Sequence, residues 1–214
     1  TLRAHALGDF GALLHAASKD AAMLLYLDGV RNRRGAPNEN FAREVMELFT
    51  LGEGRYGEQD IKEAARAFTG WSIDRETGQY LFRPGAHDHG VKTVLGSTGR
   101  YDGDAVLDLL LARPESSAYV AAKWWREFVS PEPDAREVQR IAQAFRGHNL
   151  DVKAALRGGG GDDLQTPGRA PQQDPDTHAA ARNRRIDRVG RDHHHAWARR
   201  PGAPARESGR RAVA

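Results

Sequence analysis

The sequence predicts a mainly α-helical domain with one small β-hairpin, truncated and followed by a disordered tail. Apolar residues recur at helical spacing through most of residues 1–157, which is typical of amphipathic helices. Two short β-type runs flank a polar segment at residues 74–78, which predicts the hairpin. After Arg157 the composition changes to Gly, Arg, Ala and Pro, which cannot build a core.

The first 37 residues predict two short helices and a basic loop. Apolar spacing indicates a helix over residues 2–17, interrupted at Gly8, and a second over residues 20–27. The loop at residues 29–37 carries Arg31, Arg33 and Arg34 around Asn32. Such a cluster is either a solvated turn or an anion site, and short charge clusters usually belong to the first class.

The stretch from Asn38 to Gly52 carries the strongest helical signal in the chain. Its asparagines suit an N-cap and Gly52 suits a left-handed C-terminal stop. At about 100° per residue, one side of this helix is apolar and another stripe is polar. The apolar side comprises Phe41, Val45, Leu48 and Phe49, and the stripe comprises Asn40, Arg43, Glu44 and Glu47.

The following segments predict a helix and then the hairpin. Acidic residues in the first turn favour a helix that begins within residues 56–60 and runs to about Thr69, with Gly70 after its end. Strands at residues 71–75 and 79–83 form the hairpin, with Gly78 supplying a positive φ, and residues 91–96 are a candidate third strand. Helical spacing then indicates four more helices, at residues 105–111, 116–128, 134–145 and 151–156.

The tail at residues 158–214 has a different charge balance from the rest. Residues 1–157 contain 21 Lys and Arg against 22 Asp and Glu, whereas residues 158–214 contain 11 Arg, no Lys and 7 acids. Three interpretations compete: a disordered basic arm, a linker with an RNA-binding tail, or translation out of frame, which we favour. The near-neutral domain gives no electrostatic case for nucleic acid, so that partner depends on the tail being genuine.

Other global features restrict the site chemistry. The chain has no cysteine, which excludes disulfides and thiolate metal ligands and leaves the compartment open. No apolar run reaches the roughly 18 residues of a membrane span. Thr1 does not begin a signal peptide, and we interpret it as an internal position of a longer protein.

Four motifs in order resemble the bacterial domain-of-unknown-function family 1800, over residues 1–157. They are Leu24-Tyr26-Leu27-Asp28, the stretch Pro37 to Gly52, Ala67-Phe68-Thr69-Gly70-Trp71, and His87-Asp88 with Lys92-Thr93-Val94-Leu95-Gly96. The sequence departs from the family pattern at Gly57 and His89. The resemblance implies a mostly helical, longer protein, exported or periplasmic, with a sulfatase-like family 1501 protein as partner. It supplies no activity.

Two hypotheses compete for the polar residues. In the first they form a structural network of Asn38, Asn40, Arg43, Glu44, Glu47, Asp88 and Lys92, in which Arg43 pairs with Glu39 and Glu47. In the second, Asn40, Glu44 and Glu47 face His87, Asp88 and Lys92. Glu44, Glu47 and His87 are then the catalytic candidates, and a divalent metal has Glu44, Glu47, His87 and His89 as candidate ligands.

These hypotheses lead to two classes of function. The favoured class is an accessory or binding helical module of an exported system that uses the hairpin and the basic loop to hold a partner. The alternative is a metal-assisted or carboxylate/His-dependent hydrolytic enzyme. The first predicts an apolar surface patch, and the second a closed pocket with Glu44 at its wall.

Overall fold

A computed structural model of the protein describes residues 2–158. These residues form a mainly helical structure with small hairpins, which confirms the predicted fold class. The predicted disorder and the frameshift hypothesis concern residues 158–214. Apart from Gly158, these residues lie outside the part of the chain that the structure describes. The helices are α1 Leu2–His5, α2 Phe10–Ser18, α3 Ala21–Tyr26, α4 Glu39–Glu44, α5 Glu58–Ala67, α6 Gly103–Ala112, α7 Pro114–Phe128, α8 Ala135–Gly147 and α9 Val152–Gly158.

Aspartate and asparagine side chains cap the beginnings of several of these helices, among them the predicted starts at Asp20 and Asn38. Asp9, Asp20 and Asn38 accept hydrogen bonds from main-chain N–H groups in the first turns of α2, α3 and α4. At α5 the N-cap is Gly57, which has no side chain to offer. Asp60 instead accepts the Gly57 N–H at 2.8 Å, so the helix start keeps one half of a capping box.

The central helix changes its winding after Glu44. Residues Val45–Thr50 form a π-helix, in which the Leu51 N–H donates to the Met46 carbonyl at 2.7 Å. Because its hydrogen bonds join residues five apart, Val45 stacks with Thr50 and Met46 with Leu51, and all four are buried. On the predicted apolar side, Phe41 and Val45 are buried, whereas Leu48 and Phe49 are half-buried and Phe49 packs against the core. Gly52 has the expected positive φ, +80°.

Two antiparallel hairpins follow α5. In the first, β1 Trp71–Ile73 pairs with β2 Tyr80–Phe82, and Gly78 has a φ of +69°, as predicted. In the second, β3 Lys92–Val94 pairs with β4 Ser97–Gly99. Leu95 and Gly96 both have positive φ at its two-residue turn, the type I′ geometry that suits a tight hairpin. The candidate third strand therefore belongs to a separate hairpin.

The largest core lies between the central helix, α5, α6 and the hairpins. Phe41, Phe68, Trp71 and Tyr80 meet edge-to-face, with ring centroids 5.1–5.9 Å apart. Each such pair adds about 1 kcal/mol to the burial of apolar area. A side chain on Gly103 would clash, since a Cβ there would lie 2.3 Å from the Trp71 ring. Glycine thus lets α6 approach this aromatic cluster.

Helices α7, α8 and α9 form smaller cores. Phe145 on α8 is fully buried and contacts the rings of Phe10 and Trp124. Ala121, Val138 and Ala142 form a second cluster between α7 and α8. The N-terminal segment joins this region through main-chain bonds: the Phe10 N–H donates to Leu150, and the Val152 N–H donates to Gly8.

Candidate functional site

The polar residues of the central helix bond to the beginning of α5. Both Nη atoms of Arg43 lie 2.8 Å from the Glu58 carboxylate, and Nη2 also lies 3.3 Å from Glu39. The hydrogen bond to Glu58 is the main reason that the pKa of Arg43 is raised. The predicted Arg43–Glu39 pair is present. The second partner of Arg43 is Glu58, and not Glu47 as predicted.

Glu47 instead accepts a hydrogen bond from the Tyr56 hydroxyl at 3.0 Å. Burial raises the pKa of Tyr56, and the bond to Glu47 raises it further, so the hydroxyl keeps its proton. Glu44 lies half-buried on the same helix and also has an interaction partner in the fold. The carboxylates of this helix are therefore engaged by neighbouring residues.

Three asparagines join the basic loop to α4 and α5. The buried Asn32 donates from Nδ2 to the Ala65 carbonyl at 2.8 Å, and its Oδ1 accepts the Asn38 N–H at 2.9 Å. Asn38 in turn caps α4 by accepting the Asn40 N–H, and Asn40 donates to the Leu27 carbonyl at 3.2 Å. Asn32 is thus a central member of the network, although its place within a basic loop of the sequence predicts only a solvated turn or an anion site.

The remaining predicted site residues lie at the other end of α5. His87 is buried, and its Nδ1 lies 2.8 Å from the Thr69 carbonyl. A carbonyl only accepts, so Nδ1 carries the proton. Burial lowers the pKa of His87, which favours the neutral ring. The ring centroids of His87 and His89 are 4.8 Å apart.

Asp88 and Lys92 complete this segment, which we call the His87 loop (residues 87–92). Arg66 binds the Asp88 carboxylate, with Nε 2.8 Å from Oδ2, and holds the pKa of Asp88 down at about 2. The Lys92 side chain is 1% exposed, and its ammonium donates to the main-chain carbonyls of Asp88 (2.5 Å) and Gly90 (3.0 Å). Burial lowers the pKa of Lys92.

The two groups of predicted site residues are held at opposite ends of α5. Glu47 bonds to Tyr56 before the first residue of the helix, whereas His87 bonds to Thr69 after its last residue. A helix of this length separates Glu58 from Thr69 by about 16 Å. Among residues 2–158, no three His, Asp or Glu side chains form a group that could hold a metal ion. The candidate ligands Glu44, Glu47, His87 and His89 therefore do not converge on one centre.

An open cleft lies between the basic loop and the first hairpin, and we call it the arginine cleft. It has a volume of about 420 Å³ and is lined by residues 30–33 and Ala36 from the loop and by residues 70–72, Arg83 and Ala86 from the hairpin side. Arg31 lies 3.7 Å from Asp28. Arg33 and Arg83 form no ion pair with any described residue, and no acidic residue is among those lining the cleft.

Main-chain bonds hold the two sides of the cleft together. The Gly70 N–H donates to Asn32 at 3.2 Å, and the Arg34 N–H donates to Ala86 at 2.7 Å. Gly70 has a φ of +86°, and a Cβ there would lie 2.8 Å from the Arg83 carbonyl. The sequence alone identifies the basic loop. It does not link Arg83 to that loop, because fifty residues separate Arg83 from Arg33 and only the fold brings the hairpin beside the loop.

Comparison with known proteins identifies a family and no activity. No helix among the described residues has the length and apolarity needed to cross a membrane. Neither the curated proteins nor the solved structures contain a match to this chain. A family model described as "Protein of unknown function (DUF1800)" matches residues 1–158. The chain therefore belongs to the DUF1800 family.

Proposed function

We propose that this domain is an accessory or binding module of an exported system, and that it holds an anionic partner in the arginine cleft. One contrast supports the proposal. Arg43, Arg66 and Lys92 are bonded within the fold. Arg33 and Arg83, in comparison, line an open cleft without an ion pair to a described residue.

Guanidinium chemistry supports an anion as the ligand. Arginine stays charged at all ordinary pH values and offers a planar set of N–H donors that fits carboxylate and phosphate oxygens. Three arginines line the cleft and no described acidic residue lines it, so an anionic group placed there would meet positive charge from both sides.

The family resemblance supplies the setting and a partner to test. It implies an exported or periplasmic protein, with a sulfatase-like family 1501 protein as the partner. Co-expression of the two full chains, followed by purification of one, tests this pairing. We expect the pair to co-purify with the wild type and to separate when Arg33 and Arg83 are both replaced by Gln.

Binding of poly-L-glutamate to the full chain, measured by isothermal titration, tests the cleft itself. Residues 158–214 carry 11 arginines, which also attract poly-L-glutamate. The readout is therefore the difference in affinity between wild type and variant, and not binding alone. We expect the Arg33→Gln, Arg83→Gln double variant to bind about tenfold more weakly. The control is Arg75→Gln, which removes an exposed arginine of the same hairpin outside the cleft. Equal affinity of wild type and double variant would refute the proposal.

The alternative is a metal-assisted or carboxylate/His-dependent hydrolase, and one observation favours it. Burial lowers the pKa of His87, and a neutral imidazole is the form that accepts a proton or binds a divalent metal. Hydrolysis of p-nitrophenyl phosphate or sulfate with added Zn²⁺ or Mn²⁺ tests this alternative. Turnover that disappears in His87→Gln, with the fold retained, would favour the enzyme over the binding module.

A further inference from the structure

The hairpin beside the arginine cleft carries an exposed leucine. Leu81 on β2 is 37% exposed, and it lies directly across from Ser72 on β1. Side chains alternate between the two faces of a strand. Trp71 and Tyr80 turn their rings into the aromatic core, where the ring centroids are 5.6 Å apart. Ser72 and Leu81 therefore lie on the opposite face of the hairpin.

Arg83 lies on this same face. Its φ of −113° and ψ of 94° continue the extended conformation of β2, and its N–H donates to the Gly70 carbonyl, which keeps the register of the hairpin. Because alternate residues share a face, Leu81 and Arg83 point the same way and lie about 7 Å apart along the chain. Both Ser72 and Arg83 line the cleft, so Leu81, which lies next to each of them, is at its rim.

The loop side of the cleft combines the same two properties, apolar surface and positive charge. Residues 29–31 pack against β1, which places the basic loop beside the hairpin. Val30 and Ala36 add apolar surface to the cleft. Arg31 and Arg33 add positive charge from the same loop. An anion without an apolar part would use the arginines and leave this apolar surface in contact with water.

The charge balance and the spacing favour a segment of polypeptide as the ligand. Residues 1–157 carry 21 basic and 22 acidic side chains, a near-neutral balance that does not suit the long, charged backbone of a nucleic acid. In an extended polypeptide, side chains two residues apart lie on one face about 7 Å apart, which matches the spacing of Leu81 and Arg83. A segment with an apolar residue two positions from an acidic one therefore fits both.

We propose that the arginine cleft binds a segment of a partner polypeptide that carries an apolar side chain two residues from a carboxylate, and that Leu81 selects the apolar side chain. This inference rests on the proposed function and specifies its ligand. The arginines would bind the carboxylate. Leu81 and the apolar side chain would remove each other's surface from water.

Fluorescence anisotropy with two labelled, end-blocked peptides tests the proposal on the full chain. The first peptide has the sequence Gly-Leu-Ser-Glu-Ser-Glu-Gly, and the second has Ser in place of Leu and the same charge. The cleft variants are Leu81→Gln and Arg83→Gln. Their controls are Leu156→Gln, which replaces a leucine of similar exposure (41%) on α9, and Arg75→Gln, which replaces an exposed arginine of the hairpin outside the cleft. Circular dichroism checks the folding of each variant.

The expected pattern separates the two contacts. Wild type binds the Leu peptide about fivefold more tightly than the Ser peptide. Leu81→Gln removes this preference, whereas Leu156→Gln keeps it. Arg83→Gln weakens the binding of both peptides about three- to tenfold, and Arg75→Gln leaves both unchanged.

The results that would overturn the inference differ from those that would overturn the proposed function. If wild type binds the two peptides equally, or if the preference persists in Leu81→Gln, selection by Leu81 is wrong. The anion site stands in either case as long as Arg83→Gln binds more weakly. Equal binding of both peptides by wild type and Arg83→Gln would overturn the inference and the proposed function together.

Discussion

The His87 loop and the arginine cleft lie on either side of Gly70, and they use positive charge in opposite ways. In the loop, Lys92 is 1% exposed and both carbonyl oxygens that it contacts belong to the main chain. In the cleft, Arg33 and Arg83 are exposed. A buried cation must be satisfied by the fold, whereas an exposed one costs nothing when left open. The comparison separates residues that stabilise this domain from residues available to a ligand.

The largest effect is expected at Lys92, and the comparison would be wrong if this lysine could be replaced without a loss of stability. Replacing it with Met leaves the Asp88 and Gly90 carbonyls without their donor, and we expect a loss of about 3 kcal/mol in the free energy of unfolding. Urea denaturation of the full chain measures it. The matched control is Lys62→Met, an exposed lysine on α5, which should change stability by less than about 0.5 kcal/mol. Equal stabilities of the two variants would refute the structural role.

The pH dependence of stability tests the pairing of Asp88 with Arg66. The pKa of Asp88 is about 2 in the folded protein, below its usual value of 3.8, because the Arg66 guanidinium binds the carboxylate. A lowered pKa gives stability that is present above about pH 4 and lost as the pH falls toward 2. Asp88→Asn should therefore be about 2 kcal/mol less stable than wild type at pH 6, and this difference should shrink by pH 2.5. Parallel stability curves would contradict the prediction.

Arg43 tests an intermediate case, with a side chain that is 20% exposed. Replacement by Met removes the two bonds to Glu58 and the bond to Glu39, and we expect a loss of about 1 kcal/mol, since partly exposed ion pairs are screened by solvent. Thermal denaturation in low and high salt measures the loss. Salt should reduce the difference between Arg43→Met and wild type. The exposed Arg55→Met serves as control.

The smallest effect is expected in the cleft. Arg83→Gln and Arg33→Gln should each change the free energy of unfolding by less than about 0.5 kcal/mol, because neither arginine has an ion pair with a described residue to lose. Differential scanning calorimetry measures this. A loss as large as that of Lys92→Met would show that the cleft arginines support the fold, and would remove the contrast on which the proposed function depends.

Most of the fold could be predicted because its helix ends and turns are determined by short stretches of sequence. Helix caps at Asp20 and Asn38, and positive φ at Gly52, Gly70 and Gly78, follow from short sequence signals. Strand β4 was missed because Ser97, Thr98 and Gly99 show no apolar alternation. Only the turn at Leu95 and Gly96 and the pairing with β3 make it a strand.

The site was predicted less well because its contacts are long-range. An i±4 rule finds Glu39 as a partner of Arg43, but cannot find Glu58, which is fifteen residues away. Likewise, the basic loop becomes one side of a cleft only when the hairpin brings Arg83 to it. The position of Glu47 depends on the π-helical winding of residues 45–50 and on its hydrogen bond to Tyr56. A prediction based on 3.6 residues per turn includes neither of these features.

The π-helical turn at Val45–Thr50 makes this helix unusually sensitive to the number of residues it contains. A π-turn is equivalent to an α-helix with one additional residue. Removing one codon between Val45 and Thr50 would let the turn close as an ordinary α-helix, with the chain on both sides kept in register. Adding one would rotate Gly52 away from Tyr119, whose ring leaves no space for a Cβ at that position. We therefore expect this motif to tolerate a single deletion better than a single insertion.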